Sequence, residues 1–332
     1  MSAEAKGGAL RAYDLMTLSG MLRVCEIEMV LLGSASSSPV FDFFTHSEIL
    51  FCSFEAGFPF RGSYLLPAGW GLTGYIHSTS GSSWYQGISL GPRLAFVLQP
   101  EDFNDFMMSE DSKVSLMLVP LEKLHGKLAE LEHHTGDLLP RLPHFFYLSE
   151  GDAADRLREH YERIYQSLID DRRSSNAPSF VEKDADELLE DHLVAALSAL
   201  PGDRPASTRA RHGHYLILRR AENFMRAHLH LDIYLNEICA AAGVSERALR
   251  YAFADLMDMS PNRYLSMLRL SAARKSLMRA DASRRSVKSI ALSCGLWDLS
   301  RFAENYRRLF GELPRDTLMR PSIIDPVSDI DF

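Results

Sequence analysis

One helical pattern is written twice between Leu235 and Leu318, and that repetition constrains the chain more than any other feature of its sequence. In the first copy Ile238, Gly243, Val244, Leu249 and Phe253 stand where a helix-turn-helix needs a buried anchor, a tight turn, a plug beneath it and two core contacts on the second helix. Ile290, Gly295, Leu296, Phe302 and Tyr306 repeat the set, with the same anchor-to-glycine spacing of 5 and a glycine-to-glycine step of 52. Glycine leaves a helix with positive φ at little cost, and the apolar residue after it can fold back under the helix pair. Ser245 has N-cap chemistry for the first copy's second helix, and Asp298 or Ser300 for that of the second. Leu249 and Phe253, like Phe302 and Tyr306, lie four apart and share the inward face. The outward sets are then Arg247, Arg250 and Tyr251 in the first copy, and Ser300, Arg301, Glu304 and Asn305 in the second, with Arg307 and Arg308 near the helix end.

Charge divides the chain along the same line. Arg209 to Arg320 carries 20 Lys and Arg against 11 Asp and Glu, a net of +9, which leaves −17 for the rest of a chain whose total is −8. A basic surface favours phosphate partners through counterion release, and an acidic neighbour limits indiscriminate binding. At 332 residues the chain has room for two ordinary domains. No apolar run is long enough to span a bilayer, and Met1 to Gly20 lacks the pattern of a secretory signal, so a cytoplasmic protein with no membrane partner is expected. Cys25, Cys52, Cys239 and Cys294 show no close-set metal spacing and are expected as buried, inert thiols.

In chain order, residues 1–20 are expected as a mostly mobile lead-in with a short helical turn around Ala12 to Leu18, and residues 21–120 as β-structure. Strand signals fall at Val24 to Leu32, Ile49 to Phe54, Ser63 to Leu66, Gly74 to His77, Leu94 to Leu98 and Ser115 to Val119, separated by Gly, Pro and Ser clusters. Many short strands predict a barrel or sandwich. Its frequent aromatics are read as filled core ahead of a ligand pocket. Arg61 and Arg93 are the candidates to meet an acidic ligand group, and no closely spaced His pair of the barrel-metal kind occurs. Residues 121–200 turn helical: Leu121, Leu124, Leu128 and Leu131 form one stripe, a second helix runs from Asp152 to Asp170, and a third covers about Lys183 to Leu200. These helices either pack on the β-region or pair with a second subunit. Pro201 to Arg209 reads as a linker, 210–320 as the helical repeat region, and 321–332 as a tail.

After the first helix-turn-helix comes the run Ser260, Pro261, Tyr264, Leu265, Arg269, Leu270, Ala273 and Arg274, and the second closes on Gly295 to Pro314. With Leu235 to Phe253 these residues resemble the AraC/XylS family of transcription regulators over roughly 110 residues, about a third of the chain. The family commonly has glycine at the position of Asp258 and a larger polar residue at that of Leu299. The resemblance implies two subdomain halves of a seven-helix type joined by a rigid helix, each inserting one recognition helix into successive major-groove segments on one DNA face. By position it makes Arg247, Arg250 and Tyr251 base readers in one half-site and Ser300, Arg301 and Glu304 in the other, with Asn305, Arg307 and Arg308 as phosphate anchors. The region ahead resembles the small cupin-like β-barrel that binds an effector or mediates dimerisation in such proteins.

The expected protein is thus α+β: an N-terminal cupin-like barrel or sandwich with a helical extension, then an all-α tandem helix-turn-helix domain. Its expected function is a sequence-specific transcriptional regulator, activator or repressor, that binds double-stranded DNA as a homodimer and is modulated by its N-terminal domain through effector binding or dimerisation, with RNA polymerase as a further partner. No catalytic residue, metal or cofactor is expected. The alternatives are a metal-dependent barrel enzyme fused to a DNA-binding domain, against which the missing His cluster argues, and a ligand-free barrel serving only as an interaction module.

Overall fold

The structure, a computed structural model, describes residues 5–9, 26–37, 40–46, 49–100, 104–132, 144–148, 151–174 and 182–320. Strands β1 (Ala5–Ala9), β3 (Val40–His46), β4 (Ile49–Glu55), β11 (Lys113–Pro120), β6 (Trp70–Ser78), β9 (Leu94–Leu98) and β12 (Phe145–Tyr147) pair in that order into one sheet. Strands β2 (Glu26–Leu31), β5 (Phe60–Leu65), β10 (Asn104–Met108), β7 (Trp84–Tyr85) and β8 (Ile88–Ser89) pair into a second. Both sheets are antiparallel. No ladder among the described residues joins one sheet to the other, so the expected barrel-or-sandwich is an open sandwich and not a closed barrel. Part of the expected lead-in is β1, paired along β3; the turn expected at Ala12 to Leu18, and the tail after Arg320, lie outside the described residues.

Strand periodicity builds the layers. Along β4, Leu50, Cys52 and Phe54 point into the core between the sheets, where they meet Met29, Leu31, Phe60 and Met108 of the second sheet. Ile49 and Phe51 point the other way, onto helices α1 (Leu121–Glu132), α2 (Asp152–Ser174) and α3 (Glu182–Ser198), which bury Leu124, Leu128, Leu157, Tyr161, Leu189 and Leu193 there. Because both faces of this sheet are covered, β4 and β9 read as continuous apolar runs. The apolar stripes of the three helices are taken up within the chain, against the sheet. Between the sheets, rings fill the space: Phe60 meets Phe54 edge-on at 5.5 Å and Phe106 at 5.7 Å. Gly62 and Gly74 make room for them, since a Cβ on either would lie 2.3 Å from the ring of Phe106 or Phe96.

The second sheet turns its outer face to the carboxy-terminal helices. Val30, Leu32, Trp84 and Met107 share a core with α4 (Arg209–Ala227), α5 (Leu235–Ala242), α6 (Glu246–Met257) and α7 (Pro261–Arg279). Helices α8 (Val287–Ser293), α9 (Leu299–Phe310) and α10 (Pro314–Leu318) follow, so residues 209–320 hold seven helices in all, three on either side of α7. The same two-residue alternation that points Phe60 and Met108 inward points Arg61 and Asp105 outward, into this junction. There the buried Arg61 guanidinium pairs with Asp105 and donates to Glu222 of α4 at 3.0 Å, while lying 4.7 Å over the Trp84 ring. Tyr215 donates to Asp105 at 2.8 Å, Tyr264 to Glu222 at 2.7 Å, and the Trp84 indole to the Leu256 carbonyl at 2.7 Å. Burial opposes ionisation of Glu222, but Arg61 and Arg226 beside it bring its pKa down to about 2. Arg61, a candidate to meet an acidic ligand group, is thus held by the chain's own carboxylates and faces away from the sandwich interior. Arg93 sits at φ +64° and donates to the Leu148 carbonyl at 3.2 Å, outside that interior as well.

Candidate nucleic-acid interface

Both helix-turn-helix units are built on the same turn. Gly243 takes φ +69° and Gly295 φ +71°. In the first unit the Gly243 amide donates to Ala240 O and the Val244 amide to Cys239 O; in the second, Gly295 donates to Leu292 O and Leu296 to Ala291 O, all at 3.0 to 3.1 Å. This paired three-back and five-back pattern satisfies the last carbonyls of α5 and α8, and only a residue at ease with positive φ supports it. Ile238, Leu249 and Phe253 are fully buried beneath the first turn, and Ile290, Phe302 and Tyr306 beneath the second. Ser245 caps α6 by accepting from the Ala248 amide at 3.3 Å, and Asp298, not Ser300, caps α9 by accepting from Arg301 at 3.0 Å.

The outward residues fall where the helical spacing puts them. Arg247, Arg250 and Tyr251 are exposed on α6, Ser300, Arg301, Glu304, Arg307 and Arg308 on α9, and Asn305 is half-buried. Arg250 donates to Glu246 through two nitrogens, at 2.7 and 2.8 Å, and Arg247 lies 5.3 Å over the Tyr251 ring while donating to its hydroxyl at 3.1 Å. An exposed pair four residues apart is worth only about 0.3–0.5 kcal/mol, so Arg250 can exchange Glu246 for another acceptor cheaply. Arg308 donates to Asn305. Leu299 packs against the second unit's core and is not presented outward with Ser300 and Arg301. Asp258, at the position where the family has glycine, takes φ +49° and ends α6, its amide donating to Ala254 O at 3.3 Å.

Helix α7 spans between the units. Ser260 caps it, Pro261 opens it, and its buried face packs on α6 at one end and on α8 to α10 at the other. Two features of this surface carry no assignment from the spacing argument. Lys275, Arg279, Arg284, Arg285 and Lys288 are exposed in a run from the end of α7 to the start of α8, visible in the sequence only as part of the net charge. Trp297 is the extra residue in the second turn: Asp298 follows Gly295 by three positions where Ser245 follows Gly243 by two.

Residues 238–320 match the model of a helix-turn-helix domain. Over 109 residues the chain is 37% identical to the XylDLEGF operon transcriptional activator 1 of Pseudomonas putida, covering 32% of this chain and 33% of that one. The carboxy-terminal third of this chain is an AraC/XylS-type DNA-binding domain. The chain is also 33% identical over 102 residues to the probable thc operon regulatory protein of Rhodococcus erythropolis, covering 31% of each chain. A longer match, 26% identical over 237 residues, covers 71% of this chain and 68% of the XylDLEGF operon transcriptional activator 3 of Pseudomonas putida. Among solved structures, a probable AraC family regulator from Rhodopseudomonas palustris is 34% identical over 32% of this chain and 98% of its own, with a TM-score of 0.30. The chain spans about a third of the length of the first two relatives.

Proposed function

We propose that this chain is a sequence-specific transcriptional regulator that lays α6 and α9 into two successive major-groove segments of double-stranded DNA. The observation that carries the reading is the repeated glycine turn, which sets an exposed, arginine-bearing second helix on each of two units. Arg250 and Arg301 read guanine through two hydrogen bonds each; Arg247, Tyr251, Ser300 and Glu304 complete the base-facing sets, Glu304 as an acceptor from cytosine. Asn305, Arg307 and Arg308 anchor phosphates, joined by Arg284, Arg285 and Lys288. Activation of transcription follows the named role of the Pseudomonas relatives; contact with RNA polymerase and a cytoplasmic setting are proposed with it.

The test begins by selecting bound sequences from random duplexes with the full chain. On the selected site Arg301→Ala is expected to cost about 1–3 kcal/mol and to flatten base preference at the position it reads. Equal loss on selected and random DNA by gel-shift titration would instead make Arg301 a phosphate contact. The proposed homodimer predicts that the full chain sediments at twice the monomer mass at micromolar concentration; a monomer mass there ends that part of the reading. The β-sandwich serves as the sensing or assembling region. The rings seated on Gly62 and Gly74 favour assembly, and a thermal-shift screen separates the two, since an effector that binds the native state raises the melting temperature.

A further inference from the structure

Residues 228–232, in the segment between α4 and α5, belong by sequence to the first unit, yet three hydrogen bonds and one close approach tie them to α7 and to the turn of the second. Arg269 of α7 donates Nε to the Leu229 carbonyl at 3.2 Å and Nη2 to the Leu231 carbonyl at 2.6 Å. Gly295, the turn glycine of the second unit, sits so close that a Cβ there would lie 2.3 Å from the Leu229 oxygen and 2.9 Å from Arg269 Nε. Trp297, the residue by which the second turn exceeds the first, donates its indole N–H to Asp232 at 2.8 Å although the ring is 54% exposed. An exposed indole held by an exposed carboxylate gains little burial from the contact, so its effect is geometric.

We infer that Arg269, Gly295, Trp297 and Asp232 form a staple that fixes the rotation of the second reading unit relative to the first, and so sets the spacing between half-sites that the protein accepts. The inference rests on the two-site reading above. A helix of 19 residues spans roughly 28 Å, which fixes the distance between what is packed at its two ends. Separation alone does not fix their relative twist, because side-chain packing at either end can rock about the helix axis. The staple supplies the missing restraint: it grips a backbone segment of the first unit with a planar fork and pins it against the backbone turn of the second. One base pair added between the half-sites rotates the second by about 34° and moves it about 3.4 Å, so a stapled pair of readers rejects it and a loosened pair follows it. Arg269, Asp232 and Trp297 are positioning residues in this scheme and read no base.

The experiment uses the full chain and its selected site, with one base pair inserted or removed between the half-sites, and reads affinity by fluorescence anisotropy. Wild type is expected to lose about 30-fold or more for either change. Arg269→Ala, and separately Asp232→Ala with Trp297→Phe, are expected to shrink that ratio at least about five-fold, chiefly by retaining affinity for the altered sites. Arg269→Lys keeps the charge but not the fork, and is expected to behave as Arg269→Ala does. Circular dichroism and a melting curve check that each variant is folded. The inference is overturned if folded variants discriminate spacings as sharply as wild type, or if Arg269→Lys is indistinguishable from wild type. Failure of the underlying reading looks different: wild type then selects no sequence, or selects a single half-site, before any spacing is varied.

Discussion

Arg61→Ala is expected to lower the unfolding free energy by about 3–5 kcal/mol, a large share of the stability of an ordinary domain. The cost arises from what the guanidinium leaves behind. Asp105 is fully buried and, among the described residues, its side chain keeps only the Tyr215 hydroxyl at 2.8 Å, while Glu222, 5% exposed, keeps Tyr264 and Arg226. Two carboxylates selected to face one cation then face each other across a junction that excludes water. Removing all three charges at once, with apolar residues of similar volume, is expected to cost far less than removing Arg61 alone, which separates the penalty of an unpaired charge from the worth of the pair. Denaturant melts of the full chain check both. Acid sharpens the test. Glu222 titrates near 2 in the folded protein against an ordinary carboxylate value of 4.5, so its contribution is full above about pH 4.5 and is lost as the pH falls toward 2. The gap between wild type and Arg61→Ala should therefore narrow over that window; a gap that stays constant, or an Arg61→Ala protein that melts with wild type, removes the junction from any account of how the two halves of the chain hold together.

How much of this was legible in the sequence depends on the reach of each interaction. The two turns were readable because their determinants are local: a glycine, the apolar residue after it, and contacts four residues apart on one helix face. The capping residue of α9 was not, since Asp298 and Ser300 offer the same chemistry and only the extra residue Trp297 decides which one reaches the Arg301 amide. Strands β2, β4, β5, β6, β9 and β11 follow from apolar or alternating runs, but β1, β3, β10 and β12 do not, β12 lying in a stretch expected as helical, and β7 and β8 are two residues each and leave no periodic trace. Whether the sheets close into a barrel depends on how the end strands β1, β12, β2 and β8 are paired, which no property of a single strand encodes. Arg61 shows the limit most clearly. Its alternation placed it on one face of β5, but its partner Glu222 lies 161 residues away, and from sequence an arginine awaiting a carboxylate looks the same whether the carboxylate comes from a ligand or from the chain. The outward arginines of α6 and α9 stand at positions the core does not need, and helical spacing alone marks such positions.

Arg274→Ala should show how differently two arginines of the same domain behave. Both Arg274 and Arg301 belong to the run that resembles the family, and both count toward its positive charge, but Arg274 has no exposed surface at all. Its guanidinium pairs with Glu312 at 3.0 Å and stacks 4.6 Å over the Phe310 ring, with the Tyr306 hydroxyl at 3.5 Å. It thereby ties α7 to α9 and to the turn before α10, and Glu312 is held in addition by Arg320 and by the Thr317 hydroxyl. Alanine there removes one of the two cations from the largely buried Glu312 carboxylate, leaving it Arg320 and Thr317, and opens a hole beside two aromatic rings, for an expected loss of about 3–5 kcal/mol. Lysine restores a charge but not a plane to stack on Phe310, so Arg274→Lys should recover only part of that loss. Arg301→Ala, on an exposed face, should move stability by no more than about 0.5 kcal/mol while weakening the selected site. Denaturant midpoints and DNA titrations on the variants in parallel decide the matter. If Arg274→Ala keeps its midpoint and loses affinity in the way Arg301→Ala does, then Arg274 meets DNA, and α7 carries a reading surface instead of the frame that holds the second unit.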